Sequence, residues 1–218
     1  MNFKNLQITA YMQSNIVCDD FLPFDGILYY FACQQKYGFQ EYTLPGINPK
    51  IDVILPLKRV NNKNEWFYSA SWAYPLQAWF LSESVCNWTK SFDLNYSDLT
   101  KFKNKAKVEN KKGKYKSYNM PVFYKVTDKI IWYVVGDKEE IASILQFAQS
   151  IGKKTSQGWG RVKKWAVEEI KEDWSIRKDG KLTRGVPVSY DKNTPGQIIN
   201  YGFRPSYWQK ENQGAIVV

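Results

Sequence analysis

Residues 129–170 read KIIWYVVGDKEEIASILQFAQSIGKKTSQGWGRVKKWAVEEI, and this stretch decides the fold. Its first part, residues 129–135, carries apolar side chains in succession, as a central strand buried on both faces would. Residues 137–151 then switch period. Ile141, Ile144, Leu145 and Ala148 recur at i, i+3, i+4 and i+7, which predicts a helix, and Glu139 and Glu140 favour its N-terminal end. Gly152 stops that helix, a glycine-rich loop follows to Arg161, and a strand is expected from about Val162 to Ile170.

The N-terminal half repeats the same alternation of periods. Leu6, Ile8, Ala10 and Met12 alternate with polar or aromatic neighbours, the period-two pattern of a half-buried strand. Pro23 and Asp25 open a segment closed by Gly38; Asp25 as cap and Gly38 as exit predict a helix over 26–37. Pro45, Gly46 and Pro49 mark a loop, and strand-like stretches at 51–57 and 66–72 flank a hairpin turn at 61–64. A further strand is expected at 122–126. The order strand, helix, strands, insertion, strand, helix, strand predicts an α+β chain. Its core is ferredoxin-like (RRM-like), with an antiparallel sheet, a basic thumb-like insertion and an irregular C-terminal extension. Residues 1–172 would form the core domain with its lysine-rich insertion at 101–118, and residues 173–218 an extension packed on it.

Lys plus Arg exceed Asp plus Glu by 31 − 21 = 10, which points to an anionic partner. The 9 Trp, 15 Tyr and 12 Phe exceed what a core of this size requires and leave rings for stacking on bases or packing on partner subunits. Three scattered cysteines and no histidine remove disulfide frameworks and the usual zinc sets, so no metal site and no cofactor are expected. The N-terminus lacks an apolar signal core, and the longest apolar run, Ile130 to Val135, falls far short of a membrane span. A cytoplasmic protein without membrane contact or small-molecule substrate is expected.

Most of the charge lies in residues 101–118, KFKNKAKVENKKGKYKSY, where eight lysines face one glutamate for a net +7. Lys105, Lys107, Lys111, Lys112, Lys114 and Lys116 are candidate phosphate contacts, with Tyr115 and Tyr118 interleaved as stacking rings. Lysine suits loose tracking of a backbone better than bidentate reading of bases. A solvated loop that aids solubility is the other reading of the same composition.

The glycine loop offers a second set of candidates: Gly152, Lys153, Lys154, Ser156, Gln157, Gly158, Trp159, Gly160 and Arg161. Gly158 and Gly160 permit positive φ and close backbone approach, successive amides can form an anion-binding concavity, and Lys153, Lys154 and Arg161 add charge. The loop follows a helix instead of opening one and lacks a GK[ST] ending, so it is neither a Walker loop nor a dinucleotide fingerprint. It also reads as an ordinary helix-to-strand turn.

Gly158, Gly160 and Val162, behind the lead-in Lys153-Lys154, resemble the glycine-rich loop of the RAMP superfamily of CRISPR proteins. Three fragments look like the type IV effector subunit that caps the crRNA 5′ handle: Pro23-Phe24-Asp25-Gly26-Ile27-Leu28, Arg184 with Pro187, and Arg204-Pro205-Ser206-Tyr207-Trp208. The resemblance implies a ferredoxin-like RNA binder. It would hold the crRNA 5′ handle and contact a backbone subunit and a large subunit in a hetero-oligomeric complex.

Some members of that superfamily cleave precursor RNA, often with a histidine, and this chain has none. The carboxylate pairs Asp19-Asp20, Glu139-Glu140 and Glu168-Glu169 are sequence neighbours, which on a strand face opposite sides. No catalytic residue is therefore expected. A metal-independent processing ribonuclease, or a structural protein that meets its partners without RNA, are the alternatives.

Overall fold

In the computed structural model, residues 2–38, 53–62, 65–91, 111–113, 116–190 and 195–218 are described. The chain is mixed α/β, with mostly antiparallel sheets and two helices among the described residues. It divides into two compact units, Met1–Ser82 with Lys125–Val218, and Glu83–Tyr124.

The first unit is built on three antiparallel strands. β1 (Phe3–Met12) lies between β6 (Lys129–Asp137) and β7 (Val162–Glu169). Leu6, Ile8 and Ala10 pair with Val134, Trp132 and Ile130, and all six are buried, so the period-two reading of β1 holds. Tyr133 and Val135 are buried on the opposite face of β6, as its unbroken apolar run predicted. Outside β6 the incoming chain runs antiparallel through isolated bridges, Leu57 with Gly136, Ala70 with Val134 and Tyr74 with Ile131.

Helices α1 (Phe24–Tyr37) and α2 (Lys138–Leu145) pack on each other over the Leu6 face, and Phe24 of α1 meets Trp132 at a ring separation of 5.7 Å. Both depart from the sequence reading at one end. α1 starts at Phe24, so Asp25 lies inside the first turn, buried, instead of capping it. α2 is capped as its sequence suggests: Asp137 accepts from the Glu140 amide at 3.3 Å. It stops at Leu145, six residues short of the expected end. There the Phe147 and Ala148 amides tighten onto the Ile144 and Leu145 carbonyls, and Trp165 Nε1 takes the Ala148 carbonyl at 2.8 Å. The apolar stripe still lands: Ile141, Ile144, Leu145 and Ala148 are all buried.

The expected hairpin is present but shorter and displaced, with β2 (Arg59–Asn62) pairing β3 (Glu65–Tyr68). Residues 51–52 and the turn residues 63–64 lie outside the described residues. The C-terminal extension is not irregular. β8 (Arg177–Lys178) pairs β9 (Lys181–Leu182), and β10 (Val186–Pro187), β12 (Gln213–Val217) and β11 (Ile198–Gly202) form a second antiparallel sheet in that order. Phe67, Trp72, Val186, Phe203 and Ile216 are its core. Strands of two to five residues are too short to show a period, which is why composition alone suggested loops.

The second unit holds most of β4 (Ser82–Lys90) and β5 (Tyr118–Val126), which pair with each other, and Trp88 meets Tyr118 edge-on at 5.2 Å. It exceeds the expected insertion at 101–118 on both sides. Among the described residues no helix is long and apolar enough to cross a membrane.

Candidate nucleic-acid interface

The glycine loop has the backbone its sequence demands. Gly152, Gly158 and Gly160 take φ of +85°, +92° and +68°, Lys154 is left-handed at +57°, and Thr155–Gln157 make one turn of 3-10 helix. The amides are less open than composition suggested. Lys153 N donates to Val17 O at 2.6 Å, Gly160 N to Asn15 O at 2.8 Å, and Arg161 N to Ser14 Oγ at 2.9 Å. Ser14 Oγ also donates to Gly158 O at 2.9 Å, and Ile151 N to Gly160 O at the same distance. The Gln157 and Gly158 amides close the 3-10 turn on Lys154 O and Thr155 O. The loop is thus stitched to the chain leaving β1, and what it presents outward is chiefly side chains.

Ser156, Gln157, Lys153 and Arg161 are exposed, while Lys154 and Trp159 are half-buried. Lys153 is paired with Asp19 at 2.5 Å, so part of its charge is already answered. One side of the loop borders a groove of about 830 Å³, where Gly152, Thr155 and Ser156 form one edge. Tyr30, Phe31 and Gln34 of α1 form the wall opposite, and Phe147, Tyr201 and Tyr207 bring further rings. Phe147 is 57% exposed, although it is a large apolar side chain next to a helix end. The groove therefore combines aromatic walls, which suit unpaired bases, with an edge of hydroxyls; the charged residue that lines it is Asp19, the partner of Lys153, and the basic side chains lie in the adjoining loop. Apart from Tyr207, which lies in one of the fragments that carried the family resemblance, no sequence signal pointed to these rings, because they come from separate segments.

Behind the groove, the three fragments that carried the family resemblance meet. Tyr207 Oη donates to Asp25 Oδ1 at 2.6 Å, and Arg184 Nη1 lies 3.6 Å from Asp25 Oδ2. Arg184, wholly buried, also donates to the carbonyls of Tyr68, Ala70 (2.9 Å), Phe203 (2.6 Å) and Gly185 (3.1 Å). Burial pushes the Asp25 carboxyl up, against the pull of Arg184, and pushes the Tyr207 phenol well up, helped by Asp25. Burial likewise lifts the thiols of Cys18 and Cys33 to about 12 and about 11, so both stay protonated at neutral pH.

The chain matches the model of a protein family, CRISPR type IV associated protein Csf3, over residues 4–218. It belongs to the Csf3 family. This Csf3-family chain is therefore a type IV CRISPR-associated subunit, and the match spans both of its compact units. No curated protein matches it.

Of the remaining sequence candidates in this Csf3-family member, Lys111, Lys112 and Lys116 are exposed in the second unit. Lys105, Lys107 and Lys114 lie outside the described residues, as do residues 101–110 as a whole. Of the loop candidates the structure thus brings Gly152 and Ser156 to the groove, and Lys111, Lys112 and Lys116 belong to the second unit.

Proposed function

We propose that this chain is a non-catalytic crRNA-binding subunit of a cytoplasmic type IV effector ribonucleoprotein. It holds the 5′ handle of the crRNA, caps the subunit backbone and contacts the large subunit. The observation that carries the reading is the aromatic groove edged by Gly152, Thr155 and Ser156 in a Csf3-family chain. Unpaired bases can stack on Tyr30 and Phe147 there, while the exposed Arg161 of the adjoining glycine loop answers phosphates. The core is read as ferredoxin-like and, through its glycine loop, as RAMP-type. In support, β1, α1, the chain at 69–74, β6, α2 and β7 follow in that order, and across the sheet they run β7, β1, β6, then 69–74. The absence of histidine from the sequence and the upward-shifted thiols favour binding over cleavage.

The test is the affinity of the full chain for a labelled single-stranded repeat RNA carrying the 5′ handle. Binding should weaken steeply with salt, with a log–log slope of about −3 for four to five phosphate contacts. Phe147→Ala should lose roughly tenfold in affinity with little change in thermal midpoint, because the ring is exposed. Failure of the wild-type chain to bind that RNA at low salt would overturn the reading. Cleavage of the RNA by the purified chain would favour the processing-ribonuclease alternative instead.

A further inference from the structure

The face of the sheet turned away from α1 and α2 carries a feature that the groove does not use. In the antiparallel register Tyr11 of β1 stands opposite Lys129 of β6 on one side and opposite Lys164 of β7 on the other. Directly opposed residues point to the same face, so the three side chains form one row with the phenol ring in the middle. Neighbouring strands lie about 4.8 Å apart, which places a lysine stem roughly that far from the ring on each side. Tyr11 is 42% exposed, and both lysines are exposed. Further along the same face Tyr133 is covered, with Trp174 edge-on at 5.1 Å and the Lys178 ammonium 4.6 Å from its ring. The covered end and the open end are therefore distinct. The acidic residues closest in sequence are Asp128, beside Lys129, and Glu168, four positions along β7 from Lys164.

An exposed ring flanked by two ammonium groups matches one step of a single strand, a base between two phosphates. Aromatic side chains on an open sheet face are a general means of holding unstacked bases. β7 starts at Val162, directly after Arg161, whose carbonyl accepts from Gln13 N at 2.8 Å, so the row begins three residues beyond the glycine loop. We propose that Lys129, Tyr11 and Lys164 form a second contact site for single-stranded RNA, with a base stacked on Tyr11 and the flanking phosphates on the two lysines. This rests on the RNA-binding reading above, and it extends the bound strand from the groove across the sheet.

The experiment measures the affinity and salt slope of the full chain for the handle RNA, and for the same RNA lengthened by several nucleotides at either end. The variants are Tyr11→Ala, Tyr11→Phe, a Lys129→Ala/Lys164→Ala double variant, and Phe147→Ala as the groove control. All are measured at a temperature where each is folded. Tyr11→Ala should weaken binding of the lengthened RNA roughly tenfold, and Tyr11→Phe should bind within about twofold of wild type. The lysine pair should reduce the steepness of the salt dependence by about 1.4. A photoreactive uridine in the extension should crosslink to Tyr11 or a neighbouring β1 residue. If the Tyr11→Ala and double-lysine variants bind both RNAs as wild type does while Phe147→Ala loses affinity, the sheet-face site is wrong and the groove stands. A wild-type chain that binds neither RNA removes both.

Discussion

Gly158 and Gly160 look alike in the sequence, two positive-φ glycines on either side of Trp159, yet the structure asks different things of them. A Cβ built on Gly160 would lie 1.8 Å from the Ile151 carbonyl oxygen, where the loop closes back on the residue before Gly152. One on Gly158 would meet nothing within 4 Å. A left-handed conformation alone costs a non-glycine residue about 1–3 kcal/mol. Gly158→Ala should therefore stay near the low end, about 1 kcal/mol, while Gly160→Ala should exceed about 3 kcal/mol because a backbone must also move. Urea unfolding of the two variants checks this; equal losses would mean that the tight closure at Ile151 is not a feature of the fold. The need for glycine at both positions was legible from the loop's composition. Which of them is bound by packing was not, because the clashing atom belongs to a residue on the other side of the loop.

Among the elements, α2 shows where local pattern is sufficient and where it stops. Its stripe and its Asp137 start follow from spacing and side-chain chemistry within one segment. Its end is set from outside, by Trp165 of β7 and by the pairing of residues 150–151 with 160–161, so periodicity overran it. The cap gives a pH prediction. Amides of Asn2 and Glu140 donate to Asp137 and hold its carboxyl below the ordinary carboxylate value. A depressed folded-state pKa stabilises above the unfolded value of about 3.9, and the contribution disappears as pH falls through the folded value. Asp137→Asn keeps a side-chain oxygen for the cap but has no charge to lose. The variant should be less stable than wild type at pH 7, with the gap closing as pH falls below about 4 and through the depressed folded-state value. Chemical unfolding at a series of pH values reads this directly. A gap that is constant or widens toward acid would show that the ionised carboxylate contributes nothing.

For the first unit as a whole, Arg184 is the fastening. It joins the Asp25 turn of α1, the carbonyls of Tyr68 and Ala70 after the hairpin, and the Phe203 carbonyl of the C-terminal sheet. Removing one partner from a buried ion pair costs about 3–5 kcal/mol, because the other charge stays buried and unanswered. Arg184→Ala should lose about that much stability, far more than a charge removed at an exposed site such as Lys164→Ala. Thermal midpoints of the two variants decide it, and a small loss at Arg184 would remove its role as a fastening. The groove should suffer with it, since Tyr207 lines the groove and is held by Asp25.

The sequence by itself determined the alternating core strand, the doubly buried β6, the helix stripe, the positive-φ loop, the strong basic excess and the family. Each of these is written in neighbouring residues, at spacings of two to four, or in bulk composition. The tertiary structure alone decided the groove, the row across three strands, the second sheet and the Asp25–Arg184–Tyr207 cluster. The physical reason is separation along the chain: Tyr207 and Asp25 are 182 positions apart, and Tyr11 meets Lys129 and Lys164 only through strand register. No local period encodes such pairs, because hydrophobic burial selects which faces come together without regard to sequence distance.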